Sequence, residues 1–190
     1  MMRKKIIFLI AIIACITCIA STSFGQVYFT KNGKISFFSK APLENISADN
    51  NQVISVLNTQ TGALQFSLLN NAFHFPKAKM EEDFNEDYME SNKFLKSTFK
   101  GIITDISNVN SAKDGSYPIN VKGDLMIHGV TKNITVPGRI TIKDGKISAA
   151  SSFKVLLKDY NIGVPTIVAN KISENIEITI NCNYEKKSSN

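Results

Sequence analysis

Ile119-Asn120-Val121-Lys122-Gly123-Asp124-Leu125-Met126-Ile127 alternates residue by residue between apolar or small and polar side chains. Ile119, Val121, Gly123, Leu125 and Ile127 share one face, and Asn120, Lys122 and Asp124, followed by His128, share the other. A period of two is that of a strand with one dry and one wet face. The same period recurs on both sides. Over residues 147–157, Ile147, Ala149, Phe153, Val155 and Leu157 alternate with Ser148, Ser152 and Lys154. Near the C-terminus Ile172, Ile176, Ile178, Ile180, Cys182 and Tyr184 oppose Glu177, Thr179, Asn181 and Asn183.

Turn chemistry separates these runs. Asp144-Gly145 between residues 140–142 and Ile147 predicts a tight hairpin, and Asn32-Gly33 between residues 27–29 and 35–38 predicts another. Thr61-Gly62 precedes Leu64, Phe66 and Leu68, and Asp114-Gly115 precedes the strand from Ile119. Pro137-Gly138 inside residues 134–142 predicts a bend or bulge. Together these give roughly eight to ten antiparallel strands at the spacing of a barrel or sandwich, an all-β fold. The exception is 77–90, where Met80, Phe84, Asp87 and Tyr88 recur at helical spacing among Glu81, Glu82, Asp83, Glu86 and Glu90. Pro76 precedes this stretch and its first turn is acidic, which predicts one short amphipathic helix.

The chain has 190 residues, 43% hydrophobic and 20% charged, with no Trp, the composition of one folded domain rather than a disordered or fibrous chain. Arg3, Lys4 and Lys5, the apolar run 6–20 and the small residues Ser23 and Gly25 have the order of a secretory signal peptide cleaved before Gln26. A periplasmic or secreted location is therefore expected, with lipidation at Cys15 or Cys18 the lesser alternative. The expected layout is a leader over 1–25, one domain over 26–185 and a frayed tail over 186–190. Removing the leader's three basic residues leaves a balance too weak to suggest nucleic acid, since the whole chain carries only +6. It also leaves Cys182 as the last of three cysteines, so no internal disulfide is expected and a buried thiol is.

Catalysis has little footing. His74 lies between Phe73 and Phe75, and alternation places it outward; His128 follows the polar face of 119–127, so both are expected at the surface or at strand ends. No H-x-H, H-E-x-x-H, G-x-S-x-G or phosphate-binding glycine loop occurs, so neither a metal nor a cofactor is expected. The acidic run reads as a solvated helix face. Lys77, Lys79, Lys93, Lys96 and Lys100 are either plain surface charges or a basic rim able to touch an anionic membrane. An amphipathic sheet of this size must close or pack face to face, and a barrel of about eight strands can fill its interior or hold one small ligand. Alternation leaves that choice open.

Gly123-Asp124-Leu125-Met126-Ile127-His128-Gly129-Val130-Thr131-Lys132; Phe84-Asn85-Glu86-Asp87-Tyr88-Met89-Glu90-Ser91 with Phe99-Lys100-Gly101; and Phe153-Lys154-Val155-Leu156-Leu157-Lys158-Asp159-Tyr160-Asn161-Ile162 with residues 176–180 are three stretches that together resemble the YceI-like, polyisoprenoid-binding periplasmic proteins. The resemblance implies a lipocalin-like extended antiparallel β-barrel whose interior holds an isoprenoid-type lipid or quinone. Joined to the face assignments, it nominates Phe66, Leu68, Met80, Phe84, Phe99, Leu125, Ile127, Phe153, Val155 and Leu157 as the apolar lining. Tyr88 and Tyr160 are nominated as hydrogen-bonding groups for a head group. The alternatives are a side-chain-filled interaction module, or a small hydrolase or isomerase using His74 or His128.

Overall fold

The computed structural model describes residues 27–187. The leader, its cleavage point, Cys15 and Cys18 lie outside the described residues, as do residues 188–190. Eight strands form one closed antiparallel barrel in chain order: β1 (Val27–Lys40), β2 (Asn45–Asn58), β3 (Ala63–Leu69), β4 (Lys96–Ile103), β5 (Gly115–Ile127), β6 (Val130–Lys143), β7 (Lys146–Leu156) and β8 (Asn175–Lys186). β8 closes on β1 through pairs from Ser39 with Ile176 to Tyr28 with Lys186. The tail thus starts later than expected: Lys186 ends β8, and the Lys187 N–H donates to Val27 O at 2.9 Å.

Because strands alternate up and down, the loops fall into two sets. One end carries the β1–β2, β3–β4, β5–β6 and β7–β8 connections, and the other carries the remaining loops and both described termini. The second end is packed shut. Leu57, Ile140, Ile142, Ile147 and Cys182, all 3% exposed or less, meet Tyr28, Leu64, Phe99, Val121 and Tyr184 there. Tyr184 fits into this apolar plug because its hydroxyl has a partner. Ser55 Oγ donates to Gln65 O at 2.9 Å, so the 2.7 Å contact between the two hydroxyls is donated by Tyr184. Burial pushes the free Cys182 thiol up to about 11, which keeps it protonated and unreactive.

The Asp144-Gly145 hairpin forms as expected, both residues at positive φ (50° and 71°) in a two-residue loop between the paired Lys143 and Lys146. The Asn32-Gly33 hairpin does not. β1 runs through it unbroken with register shifts on either side of Gly33, and the chain reverses instead at residues 41–44, where the Ala41 N–H donates to Glu44 O at 3.1 Å. Gly33 is required by proximity: a Cβ there would stand 2.7 Å from Cys182 Sγ and 3.1 Å from Val53 O. Glycine at a bulge where side chain and backbone crowd in gives the same dipeptide as a turn.

Pro137-Gly138 also differs from expectation. Register with β5 continues through it from Gly115–Ile142 to Ile127–Val130, with no bulge. What stops there is pairing with β7, which covers only Arg139–Ala150 to Lys143–Lys146. The Pro137 carbonyl accepts from Ser151 Oγ at 2.7 Å, so it faces β7, and the donor that proline lacks is missing from that same edge.

The expected helix is α1 (Ala78–Asp83), continued by one π-helical turn over Phe84–Tyr88. It is shorter than the 77–90 span and fastened by aromatics: the Phe84 ring lies 5.5 Å from Phe37, 5.6 Å from Phe73 and 5.1 Å from Phe75. Such ring pairs add ~0.5–1.5 kcal/mol each beyond burial.

Candidate functional site: an apolar cavity in the upper barrel

Above the plug the barrel is hollow. A cavity of about 420 Å³ runs from Leu64, Phe99, Ile119 and Val121 at its floor to a mouth at Glu44, Met80, Asp83, Val168 and Lys171. That volume lies within the ~300–1,000 Å³ of sites that enclose small ligands. Along β7 the lining extends from Ala149 to Val155, a strand length of about 20 Å at ~3.3 Å per residue, and continues to Leu157 in the turn that follows. The inward period of two does this: Ala149, Ser151, Phe153 and Val155 on β7 face Ile176, Ile178 and Ile180 on β8 and Ile134, Val136 and Gly138 on β6.

The floor depends on two glycines. Gly101 and Gly123 are directly opposed on β4 and β5, and the Phe99 ring lies over both. A Cβ at Gly101 would stand 2.6 Å from Phe99 Cζ, and one at Gly123 would stand 2.8 Å from the same atom. Phe66 meets Phe99 edge-on at 6.4 Å, completing an aromatic base.

All twelve nominated residues line this cavity: Phe66, Leu68, Met80, Phe84, Tyr88, Phe99, Leu125, Ile127, Phe153, Val155, Leu157 and Tyr160. The sequence reading missed Ile35, Phe37 and Ile46 on the first two strands, Phe73 and Phe75 before α1, Met89 after it, and Ile178 and Ile180 on β8, among others. Signals existed for some of them. Phe73 and Phe75 flank outward His74 and must therefore point inward, and Ile178 and Ile180 belong to an alternating face already identified.

Polar groups at the wall are mostly spent on the protein. Asn70 donates to Phe94 O at 2.6 Å and accepts from Ser97 Oγ at 2.8 Å, and Ser39 Oγ accepts from the Ser173 N–H at 2.9 Å. The Tyr88 and Tyr160 hydroxyls, by contrast, make no hydrogen bond among the described residues. Burial raises both above the ordinary tyrosine value, with Asp83 and Asp87 adding to the effect at Tyr88 and Asp159 at Tyr160. Both therefore remain neutral donors at neutral pH. At the mouth Glu44 pairs with Lys77 at 3.0 Å and Asp83 with Lys79 at 2.9 Å. With Lys93 held by Glu90 at 3.5 Å, three of the five lysines considered as a basic rim face carboxylates.

His74 is exposed, as expected, but His128 is not: it is 8% exposed and takes φ 49° just past β5, where alternation no longer governs direction. Its Nδ1–H donates to Tyr160 O at 3.1 Å, and Nε2, when it carries a hydrogen, donates to Glu90 Oε2 at 3.0 Å. Phe94 packs on the ring at 4.3 Å and occupies the space a side chain at Gly129 would need. His128 thus ties the β5–β6 turn to the segment after α1 and to the turn carrying Tyr160. Neither histidine lines the cavity, and no cluster of metal-binding side chains occurs among the described residues.

The pairing makes stability depend on acid. His128 holds the Glu90 carboxyl below the usual carboxylate range. A lowered folded-state value means that the contact stabilises the fold above the ordinary glutamate value of about 4.3 and is lost as pH falls through the lowered one. Thermal melts of Glu90→Gln should therefore lie below wild type at pH 7 and converge with it below about pH 4. His128→Ala should cost about 2 kcal/mol at pH 7 through the lost bond to Tyr160 and the void under Phe94.

The model of the YceI-like domain family matches residues 21–184. Among solved structures, a polyisoprenoid binding domain from Saccharophagus degradans implicated in plant cell wall breakdown aligns with a TM-score of 0.74 at 14% identity, over 86% of this chain and 99% of that one. BcnA of Burkholderia cenocepacia aligns with a TM-score of 0.66 at 14% identity, over 80% of this chain and 96% of that one. A YCEI protein of Campylobacter jejuni gives 0.53 at 16% identity, over 72% and 81%. At such identities the alignments establish a common fold. No functionally curated protein matches the chain. The closed barrel and the family match over residues 21–184 agree, and the chain belongs to the YceI-like domain family.

Proposed function

We propose that this protein is an exported carrier that binds the chain of an isoprenoid-type lipid or prenylated quinone in the upper barrel and performs no chemistry on it. The observation that carries the reading is the cavity: lined chiefly by apolar side chains below a polar mouth, shut at one end and open at the other. Apolar burial at ~0.8 kcal/mol per CH₂ supplies affinity without polar recognition. Tyr88 and Tyr160 are the donors for an oxygen-bearing head group. The named Saccharophagus relative, a polyisoprenoid binding domain, supports the ligand class, and the leader-like residues 1–25 support a periplasmic site of action. A side-chain-filled module fits only the lower barrel, and a histidine-dependent enzyme has no histidine at the cavity.

The test is equilibrium titration of solvent-extracted protein with prenyl alcohols of increasing length. Affinity should rise about fourfold per buried CH₂ and level off once the chain outgrows the cavity. Binding that ignores chain length would count against the reading.

A further inference from the structure

The two ends of the barrel differ in how they meet solvent. Among the described residues, five of the eight exposed large apolar side chains lie at the open end: Phe38, Leu43, Leu69, Leu95 and Ile167. Ile54, Val56 and Ile102 point outward from the wall, and none lies in the loops of the closed end. Leu43 is 67% exposed at the tip of the β1–β2 turn, and Ile167 is 88% exposed in the 3-10 turn Thr166–Val168 between β7 and β8.

These two are held as a pair. The Leu43 N–H donates to Asn170 O at 3.0 Å, and the Val168 N–H donates to Pro165 O at 3.0 Å. That turn puts Val168 into the cavity wall and leaves Ile167 outside, while Glu44, next to Leu43, lines the same mouth. An isolated exposed leucine is ordinary, but two braced on the rim of an apolar cavity make a continuous greasy path from outside to inside.

Charge completes the surface. Lys40 ends β1 beside this turn and Lys171 lines the mouth; neither forms an ion pair among the described residues. Lys158 adds a third cation on the β7–β8 connection, against Asp159 and Glu174 there and the Glu44–Lys77 pair. Glu44, beside Leu43, holds Lys77 just before α1, and on that helix Glu82 and Asp83 are both paired with Lys79.

We propose that this rim docks on a lipid bilayer, Leu43 and Ile167 entering the interface and Lys40 and Lys171 facing anionic head groups, so that the mouth opens onto the membrane. The purpose of docking, exchange of cargo, rests on the carrier reading; docking itself is tested apart from it. Apolar side chains below a cationic fringe are the recurrent design of interfacial binding.

The chain contains no Trp, so one introduced indole reports alone. Leu43→Trp, Ile167→Trp and, as a wall control, Ile54→Trp are mixed with vesicles of equal parts phosphatidylcholine and phosphatidylglycerol, with and without brominated acyl chains. Both rim indoles should shift to the blue and be quenched by bromine, while the wall indole should keep its aqueous emission. In flotation, Leu43→Glu with Ile167→Glu should weaken vesicle binding about a hundredfold, tenfold per side chain removed from the interface. That variant should still bind a detergent-solubilised farnesyl probe. Rim indoles that stay aqueous, an equal shift at the wall, or a blue shift that grows with protein concentration without vesicles would each overturn the proposal. Vesicle docking without farnesyl uptake would leave docking standing and remove the carrier reading alone.

Discussion

Gly123→Val is expected to yield mostly unfolded or aggregated protein, with a loss of about 3 kcal/mol or more in any fraction that folds. The position faces inward on β5 opposite Gly101, so the two backbones and the Phe99 ring occupy the space that side chains would take. A Cβ at Gly123 meets the Gly101 Cα and the Lys100 carbonyl, and one at Gly101 meets the Lys122 carbonyl. Backbone in the middle of a barrel cannot step aside as a side-chain tip can. Gly145→Ala is the contrasting control: nothing lies within 4 Å of its Cβ, and its cost comes only from φ 71°. Denaturant titration by circular dichroism should place Gly145→Ala within about 1 kcal/mol of wild type. Similar losses for both would show that the floor is not built on close approach.

Ala149→Phe is expected to separate binding from folding. Ala149 faces the cavity between Ile140 on β6 and Cys182 on β8, and it is only partly buried because the space before it is empty. A ring there fills part of the hollow and replaces about four ligand CH₂ groups, worth ~3 kcal/mol or about a hundredfold in affinity for a prenyl chain. The melting temperature should hold or rise, since added apolar contact fills a void rather than displacing neighbours. A variant that binds as tightly as wild type would place the lipid elsewhere.

Sheet and wall were legible in the residues because a strand's dry face repeats every second position, while closure into a barrel was implied only by the family resemblance; the three alternating runs lie in β5, β7 and β8, save Leu157 just after β7 and Ile172 before β8. The errors arose where a local signal has two physical causes. Asn32-Gly33 has the composition of a tight turn, yet Gly33 is there to admit Cys182 Sγ, a contact with a residue far along the chain. His128 continues the polar phase of β5 on paper, but at φ 49° the strand has ended and the ring turns under Phe94 toward Tyr160 and Glu90. Pro137-Gly138 reads as a bend or bulge, yet Pro137 only ends the pairing with β7, and β6 stays in register with β5 throughout.

The hollow itself had no signature in the pattern. Phe153 and Val155 read the same whether they meet other side chains or empty space. What distinguishes the two ends is which residues lie across from them. At the closed end Leu57, Ile140, Ile147 and Tyr184 converge, whereas just above this plug the small residues Gly138, Ala149 and Ser151 leave the centre unfilled.

Native mass spectrometry of full-length protein, secreted from cells and purified without detergent, tests the central claim most directly. The account predicts a population heavier by the mass of one prenyl lipid, stripped by organic solvent, restored by adding that lipid back and strongly reduced in Ala149→Phe. A single bare mass before extraction, together with no uptake of any prenyl alcohol or prenylquinone afterwards, would contradict it.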